Sequence, residues 1–135
     1  YQAGTLSANP VAMAAGLAAA EQLIEPGFYE EMEAKTKRFV NSIMEYCDGK
    51  GYKLSMPTIG SIFWVVFTKE RVQRADQIDE SGMDKFKVLH HELLQNGVYL
   101  GPSGYEVGFV SSAHTDEDLA IAKEKICNAM DVVFG

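Results

Sequence analysis

Basic residues are in short supply: twelve Lys and Arg stand against nineteen Asp and Glu, for a net charge of −7. Nucleic-acid backbones and anionic membrane surfaces are bound through basic patches, so this balance argues against both as the main task. Long hydrophobic runs are also missing. The longest, Val11 to Ala20, is mostly alanine and at helical rise crosses only about half of a bilayer, so no membrane span is expected. Only two cysteines occur, Cys47 and Cys127, without Cys-x-x-Cys spacing. Two thiols make a poor disulfide framework, and these read as reduced core residues of a cytoplasmic protein. No cationic leader precedes an apolar segment, so nothing indicates secretion. Walker and Rossmann glycine patterns and Gly-x-Ser-x-Gly are all absent. The chain begins at Tyr1 without an initiator methionine, and a fragment of a longer parent is the expectation.

What is present suits one water-soluble globular domain: 135 residues, 47% hydrophobic and 23% charged. Asn9 as cap, Pro10 at the first helical position and the Ala, Met, Leu and Gln that follow predict a helix to Ile24, stopped by Pro26-Gly27. Its first half has no polar face, so it is expected to be buried all round, between two layers, against a second subunit, or as a core helix of a monomer. A second helix is predicted over Phe28 to Cys47, with Phe28, Met32, Phe39, Ile43 and Cys47 inward and Glu31–Lys35 and Glu33–Lys37 on the wet side. Tyr52–Met56 and Ser61–Phe67 read as strands joined through Pro57-Thr58-Ile59-Gly60, the second too apolar to lie anywhere but mid-sheet. Arg71 to Ser81 reads as a surface loop. Met83 to Gln95 is a third helix capped by Asn96-Gly97, with Val98–Leu100 a short strand and Tyr105–Val110 a returning one. Thr115 caps a last helix whose Leu119, Ala122, Ile126, Met130 and Val133 face the core. The fold class is therefore α/β (α+β): a three- to four-stranded, mostly antiparallel sheet covered by helices and preceded by an apolar helix.

Candidate chemistry is sparse. Gly4, Thr5 and the Asn9-Pro10 helix start form a turn that suits an anion, or simply caps a helix. Glu106, after Gly101-Pro102-Ser103-Gly104, sits at a strand edge where it faces either a cleft or solvent. His90 and His91 point about 100° apart on a helix and do not share a metal. Ser111, Ser112 and His114 are too close in sequence to form a triad, which argues against a hydrolase. Lys50, Lys53, Lys69, Lys85, Lys87, Lys123 and Lys125 lie in polar, exposed contexts, and none reads as a Schiff-base lysine. No metal site is expected.

Two stretches carry a resemblance. Tyr1 to Gly16 (Tyr-Gln-Ala-Gly-Thr-Leu-Ser-Ala-Asn-Pro-Val-Ala-Met-Ala-Ala-Gly) and Gly97 to Leu119, with Gly60-Ser61-Ile62-Phe63-Trp64 between them, resemble the glutamate-1-semialdehyde aminomutase group of the class III aminotransferase family. These are fold-type I pyridoxal-phosphate enzymes. The resemblance runs through the whole chain and implies the family's C-terminal third: 1–25 as the end of the large domain and an interdomain helix, 26–135 as the small domain. It implies that Gly4 and Thr5 reach the pyridoxal 5'-phosphate of the other subunit of a homodimer, formed through the N-terminal segment and the Ala-rich helix. It implies that Glu106 faces the substrate, a small molecule, and that the catalytic lysine lies upstream, so the isolated chain is expected to be inactive. Related transaminases that use 2-oxoglutarate place an arginine near this site, whereas the last arginine here is Arg74. That favours an aminomutase, making 5-aminolevulinate for tetrapyrrole (porphyrin) synthesis, over an ω-amino acid transaminase; a non-enzymatic α/β ligand-binding module is the remaining alternative. Ala8 departs from the glycine commoner in the motif, and Gly104, Tyr105 and Val107 are local variations.

Overall fold

The computed structural model of the chain describes Gly4 and residues 9–135. Helix α1, Pro10–Leu23, starts as its capping residues dictate. Asn9 Oδ1 accepts the backbone N–H groups of Val11 at 2.9 Å and Ala12 at 3.2 Å, while Pro10 has no N–H to leave unpaired. Helix α2, Phe28–Gly49, follows Gly27, whose φ of 87° lets the chain reverse without a side-chain penalty. It buries Met32, Thr36, Phe39, Val40, Ile43 and Cys47 at helical spacing. Thr36, the polar member of that stripe, donates its hydroxyl to the Met32 carbonyl at 2.9 Å and so enters the core satisfied. On the wet side Lys37 pairs with Glu33, but Lys35 leaves Glu31 and donates to the His114 carbonyl at 2.8 Å.

Three short strands form an antiparallel sheet in the order β1 (Thr58–Ile59), β2 (Ile62–Phe63), β3 (Gly108–Phe109). The apolar second strand is central, as its sequence requires. The turn is not where the sequence suggested. Ser55 faces Val66, Thr58 faces Phe63 and Ile59 faces Ile62, one continuous register that carries the hairpin past Pro57 to turn at Gly60-Ser61, with Gly60 at φ 54°. Pro57 only removes a donor: its carbonyl still accepts the Trp64 N–H at 3.1 Å, and the ladder skips one bond. Two further strand expectations are corrected. Val98–Leu100 carries no ladder, and of Tyr105–Val110 only Gly108–Phe109 pairs, because Gly101 to Glu106 is spent in turns. Gly108 is required there, since a methyl group would run into the Phe63 ring.

Helix α3, Ser81–Gln95, begins two residues before the expected Met83 and is closed by Gly97 at φ 77°. The loop before it holds one 3-10 turn, Ala75–Gln77. Helix α4, Asp116–Phe134, is capped reciprocally: Thr115 Oγ1 accepts the Asp118 N–H at 3.1 Å and Asp118 accepts the Thr115 N–H at 2.9 Å. Helices α2, α3 and α4 close one core with the sheet, through Phe39 and Ile43, Leu89 and Leu93, Ile126 and Met130, and Phe63 and Val65. Cys47, within it, and Cys127 are buried free thiols.

Helix α1 stands outside this core. It touches only α2 among the other elements and buries no residue; Val11, Met13 and Leu17 remain 76%, 59% and 62% exposed. The reading of α1 as a core helix within a monomer is therefore wrong for this chain. An all-apolar helix surface in water is an unpartnered surface. No helix among the described residues is long and apolar enough to cross a membrane.

Candidate functional site

Gly4 is exposed, and Thr5 lies outside the described residues. The start of α1 sharpens what that turn can do. Its first donors are already used: Pro10 has none, Val11 and Ala12 point at Asn9 Oδ1, and the Met13 N–H closes on the Asn9 carbonyl at 2.9 Å. The first N–H groups of the helix are therefore not free for an anion.

The second candidate, Glu106, lies in a turn ahead of β3 and not on a strand edge, which corrects the sequence expectation. Its N–H donates to the Ser103 carbonyl at 2.9 Å, and the Tyr105 N–H reaches Ser103 Oγ at 3.3 Å. The carboxylate folds back over Gly101, where any side chain would overlap it. At the base of this loop Gly104 is buried against α3, and a Cβ on it would stand 2.7 Å from Met83 Sδ. The Gly104 carbonyl accepts the Trp64 indole N–H at 2.7 Å. That anchor was missed in the sequence, although a half-buried indole on a strand needs an acceptor and the glycine-rich turn offers carbonyls. Arginine is not part of the loop; Arg74 is engaged through two hydrogen bonds, at 3.0 and 2.8 Å, with Asp76.

The remaining candidates resolve into structural roles. His114 Nδ1 accepts the Ser111 N–H at 3.0 Å, which occupies the lone pair a base would need, while the Ser111 hydroxyl stands at 3.5 Å. His90 is half-buried near the rings of Phe86 and Tyr99, at centroid distances of 6.3 and 6.4 Å, while His91 is exposed. Among the described residues no three His, Cys, Asp or Glu side chains gather into a metal site. Lys69 pairs with Asp48, Lys87 with Asp84, and Lys85 lies over the Phe134 ring. The Tyr46 hydroxyl and Asp131 push the Lys50 ammonium above its ordinary pKa, opposite to what a nucleophilic amine needs. Lys123 and Lys125 are half-buried along α4, against the expectation of exposure.

Two cavities flank the sheet. One of about 450 Å³, lined by Leu23, Phe28, Met32, Gly60, Ser61 and Val110, also carries Glu30 and Glu33, which disfavour an anion. Another of about 420 Å³ lies between α4 and the 97–100 segment, with Phe39, Phe63 and Phe109 in its wall.

No protein-family model matches the sequence. Solved structures do match, over nearly all of the chain. An ω-transaminase from Sphaerobacter thermophilus superposes with a TM-score of 0.81 at 20% identity, over 100% of this chain and 31% of its own. A β-phenylalanine aminotransferase from Variovorax paradoxus gives 0.82 at 20% identity, over 98% and 30%. A glutamate-1-semialdehyde-aminomutase from Pseudomonas aeruginosa gives 0.77 at 17% identity, over 97% and 29%. The class this defines is one of fold: the chain has the architecture of the C-terminal region of a fold-type I transaminase. It spans about 30% of the length of the structures it matches.

Proposed function

We propose that the chain is the small-domain part of a pyridoxal-phosphate enzyme of the class III aminotransferase type, and specifically of an aminomutase. The reaction is the conversion of glutamate 1-semialdehyde to 5-aminolevulinate. The observation that supports the enzyme class is the superposition of 96–100% of the chain on transaminases and an aminomutase at TM-scores of 0.75 to 0.82. When bound, pyridoxal phosphate supplies the electron sink for proton movement beside the amino-bearing carbon. The residues present fit a supporting role toward it: Gly4 and Thr5 precede α1 in the sequence, and no described lysine has the desolvated setting of a cofactor-bearing amine. Thr5 is assigned the phosphate of the partner subunit's cofactor, α1 the dimer contact, and Glu106 the substrate side.

Glu106 separates the two readings of the reaction. A transaminase that accepts 2-oxoglutarate needs a cation for the second carboxylate, and a guanidinium serves best because it pairs bidentately. This chain has no arginine after Arg74 and presents an exposed carboxylate in the loop instead. A carboxylate repels a dicarboxylate, and an aminomutase, which moves an amino group within one carbon skeleton, need not admit one. The ω-transaminase reading draws on the superposition of the chain on an ω-transaminase, at a TM-score of 0.81. The deciding experiment joins the chain to the large domain and assays both reactions. Aminolevulinate formation by the joined protein, with none from the chain alone, is expected. Replacing Glu106→Arg is expected to raise 2-oxoglutarate-dependent transamination, and an unchanged rate would remove the exclusion role.

A further inference from the structure

The Glu106 loop is held at more points than a surface turn needs. Its base is clamped by α3, because Gly104 fits between the chain and Met83 and Phe86 with no room for a Cβ. Its middle is closed by the Ser103 carbonyl accepting the Glu106 N–H at 2.9 Å. Gly104 is also pinned to the sheet, by Trp64 Nε1–H donating to the Gly104 carbonyl at 2.7 Å, a bond between residues forty apart. Trp64 itself is fixed in the hairpin, where its backbone N–H donates to the Pro57 carbonyl at 3.1 Å. The loop therefore inherits its position from the sheet and α3, although Pro102, Tyr105 and Glu106 are exposed.

We infer that Trp64 is a positioning residue: through the Gly104 carbonyl it fixes the turn that presents the Glu106 carboxylate, and so sets how strongly the site discriminates against a second carboxylate on a substrate. This rests on the reading of Glu106 given above. An indole is well suited to the task. It offers one donor, no acceptor and a flat apolar body that stays packed while the N–H makes its single directed bond. A loop without that bond keeps its contacts with α3 but gains freedom at Tyr105 and Glu106, and a mobile carboxylate repels less selectively than a fixed one.

Two substitutions separate the bond from the packing: Trp64→Phe, and benzothienylalanine at position 64, which keeps the bicyclic shape and lacks the N–H. Amide exchange of this chain is expected to quicken about tenfold at Glu106 in both, with the core amides of Leu89 and Leu93 unchanged. In the protein joined to its large domain, both are expected to raise kcat/KM for 2-oxoglutarate in the direction of Glu106→Gln, and to add nothing when combined with it. Unchanged exchange at Glu106 in the benzothienylalanine variant overturns the positioning role, whatever Glu106 does. Faster exchange with Glu106→Gln silent overturns the reading of Glu106 instead. Selectivity that moves with Glu106→Gln but not with either Trp64 variant overturns the link between the two.

Discussion

The exposed stripe of α1 gives a sharp test, because the same side chains contribute almost nothing to the fold and, on the proposed reading of α1 as a dimer contact, a great deal to association. Met13 and Leu17 are one helical turn apart and 59% and 62% exposed. Fully burying such a side chain is worth about 1.5–3 kcal/mol, so the exposed part of each contributes about 1–2 kcal/mol when a partner covers it. In a two-fold symmetric contact both residues count twice, and the pair accounts for about 4–7 kcal/mol, three or more decades in Kd. Replacing Met13→Glu together with Leu17→Lys removes that gain, keeps the net charge, and adds an i,i+4 pair worth about 0.2–0.5 kcal/mol to the helix. Gly16→Ala is the companion. Nothing lies within contact of a Cβ there, so in a free chain it strengthens the helix by about 0.5–1 kcal/mol, whereas a closely packed partner makes it harmful to association. Sedimentation equilibrium should show concentration-dependent association of the unmodified chain and a monomer of equal helix content for the double variant. A chain that stays monomeric at its highest soluble concentration, or a variant that associates as well as its parent, would refute the reasoning.

Two pH responses follow from the buried thiols and from the Asp131 cluster. Burial pushes the Cys47 thiol from 9.0 up to about 11, so on raising pH the unfolded chain loses its proton first. Stability is then flat below about pH 9 and falls from there toward pH 11; Cys47→Ala should make the urea midpoint fall less steeply, and an identical slope would count against it. The rest of that slope belongs to Cys127, raised by burial, and to Tyr46 and Tyr52, both raised by their hydrogen bonds to Asp131. At the acid end the Tyr46 and Tyr52 hydroxyls, at 2.7 and 2.8 Å, hold the Asp131 carboxyl below the ordinary 3.8. A depressed carboxyl stabilises the fold above that value and ceases to do so as pH falls through its own. Asp131→Asn is expected to weaken the chain at neutral pH and to make its acid unfolding less steep, read from the same urea midpoints.

Helices were legible in the sequence because their ends are written in local chemistry. Asn9-Pro10, Thr115 with Asp118, and Asn96-Gly97 each satisfy or terminate backbone groups within a few residues, and the structure honours all three. Strands were not legible to the same degree, because their ladder partners lie elsewhere. Pro57 was read as part of a turn from its own chemistry, yet Trp64 needs only its carbonyl, so the hairpin runs through it. Val98–Leu100 has the composition of a strand and no ladder partner. Glu106 was assigned to a strand edge and lies in a turn, for the same reason: the turns at Gly101 to Glu106 are anchored by Trp64 and Met83, neither of which is nearby in sequence.

Two surfaces stay apolar after the core has closed, and they share a physical consequence. Register places Ile59, Ile62 and Phe109 side by side on one face of the sheet, opposite the face where Phe63 enters the core; Ile59 and Phe109 are 76% and 64% exposed. Helix α1 is the other such surface. The core formed by α2, α3, α4 and the inner sheet face depends on neither, since Leu89, Leu93, Ile43 and Met130 are fully covered without them. Stability is thus carried by residues other than those left exposed on these two surfaces. Truncating Leu89 to Ala costs about 2–5 kcal/mol, a large part of the 5–15 kcal/mol typical of a domain, and leaves both surfaces in place. Polar substitutions at Ile59, Phe109 or Leu17 leave that core intact and change only what the chain can dock against. A sequence selected solely to fold as this domain would have made those positions polar, because apolar side chains there raise the risk of aggregation without adding to the core.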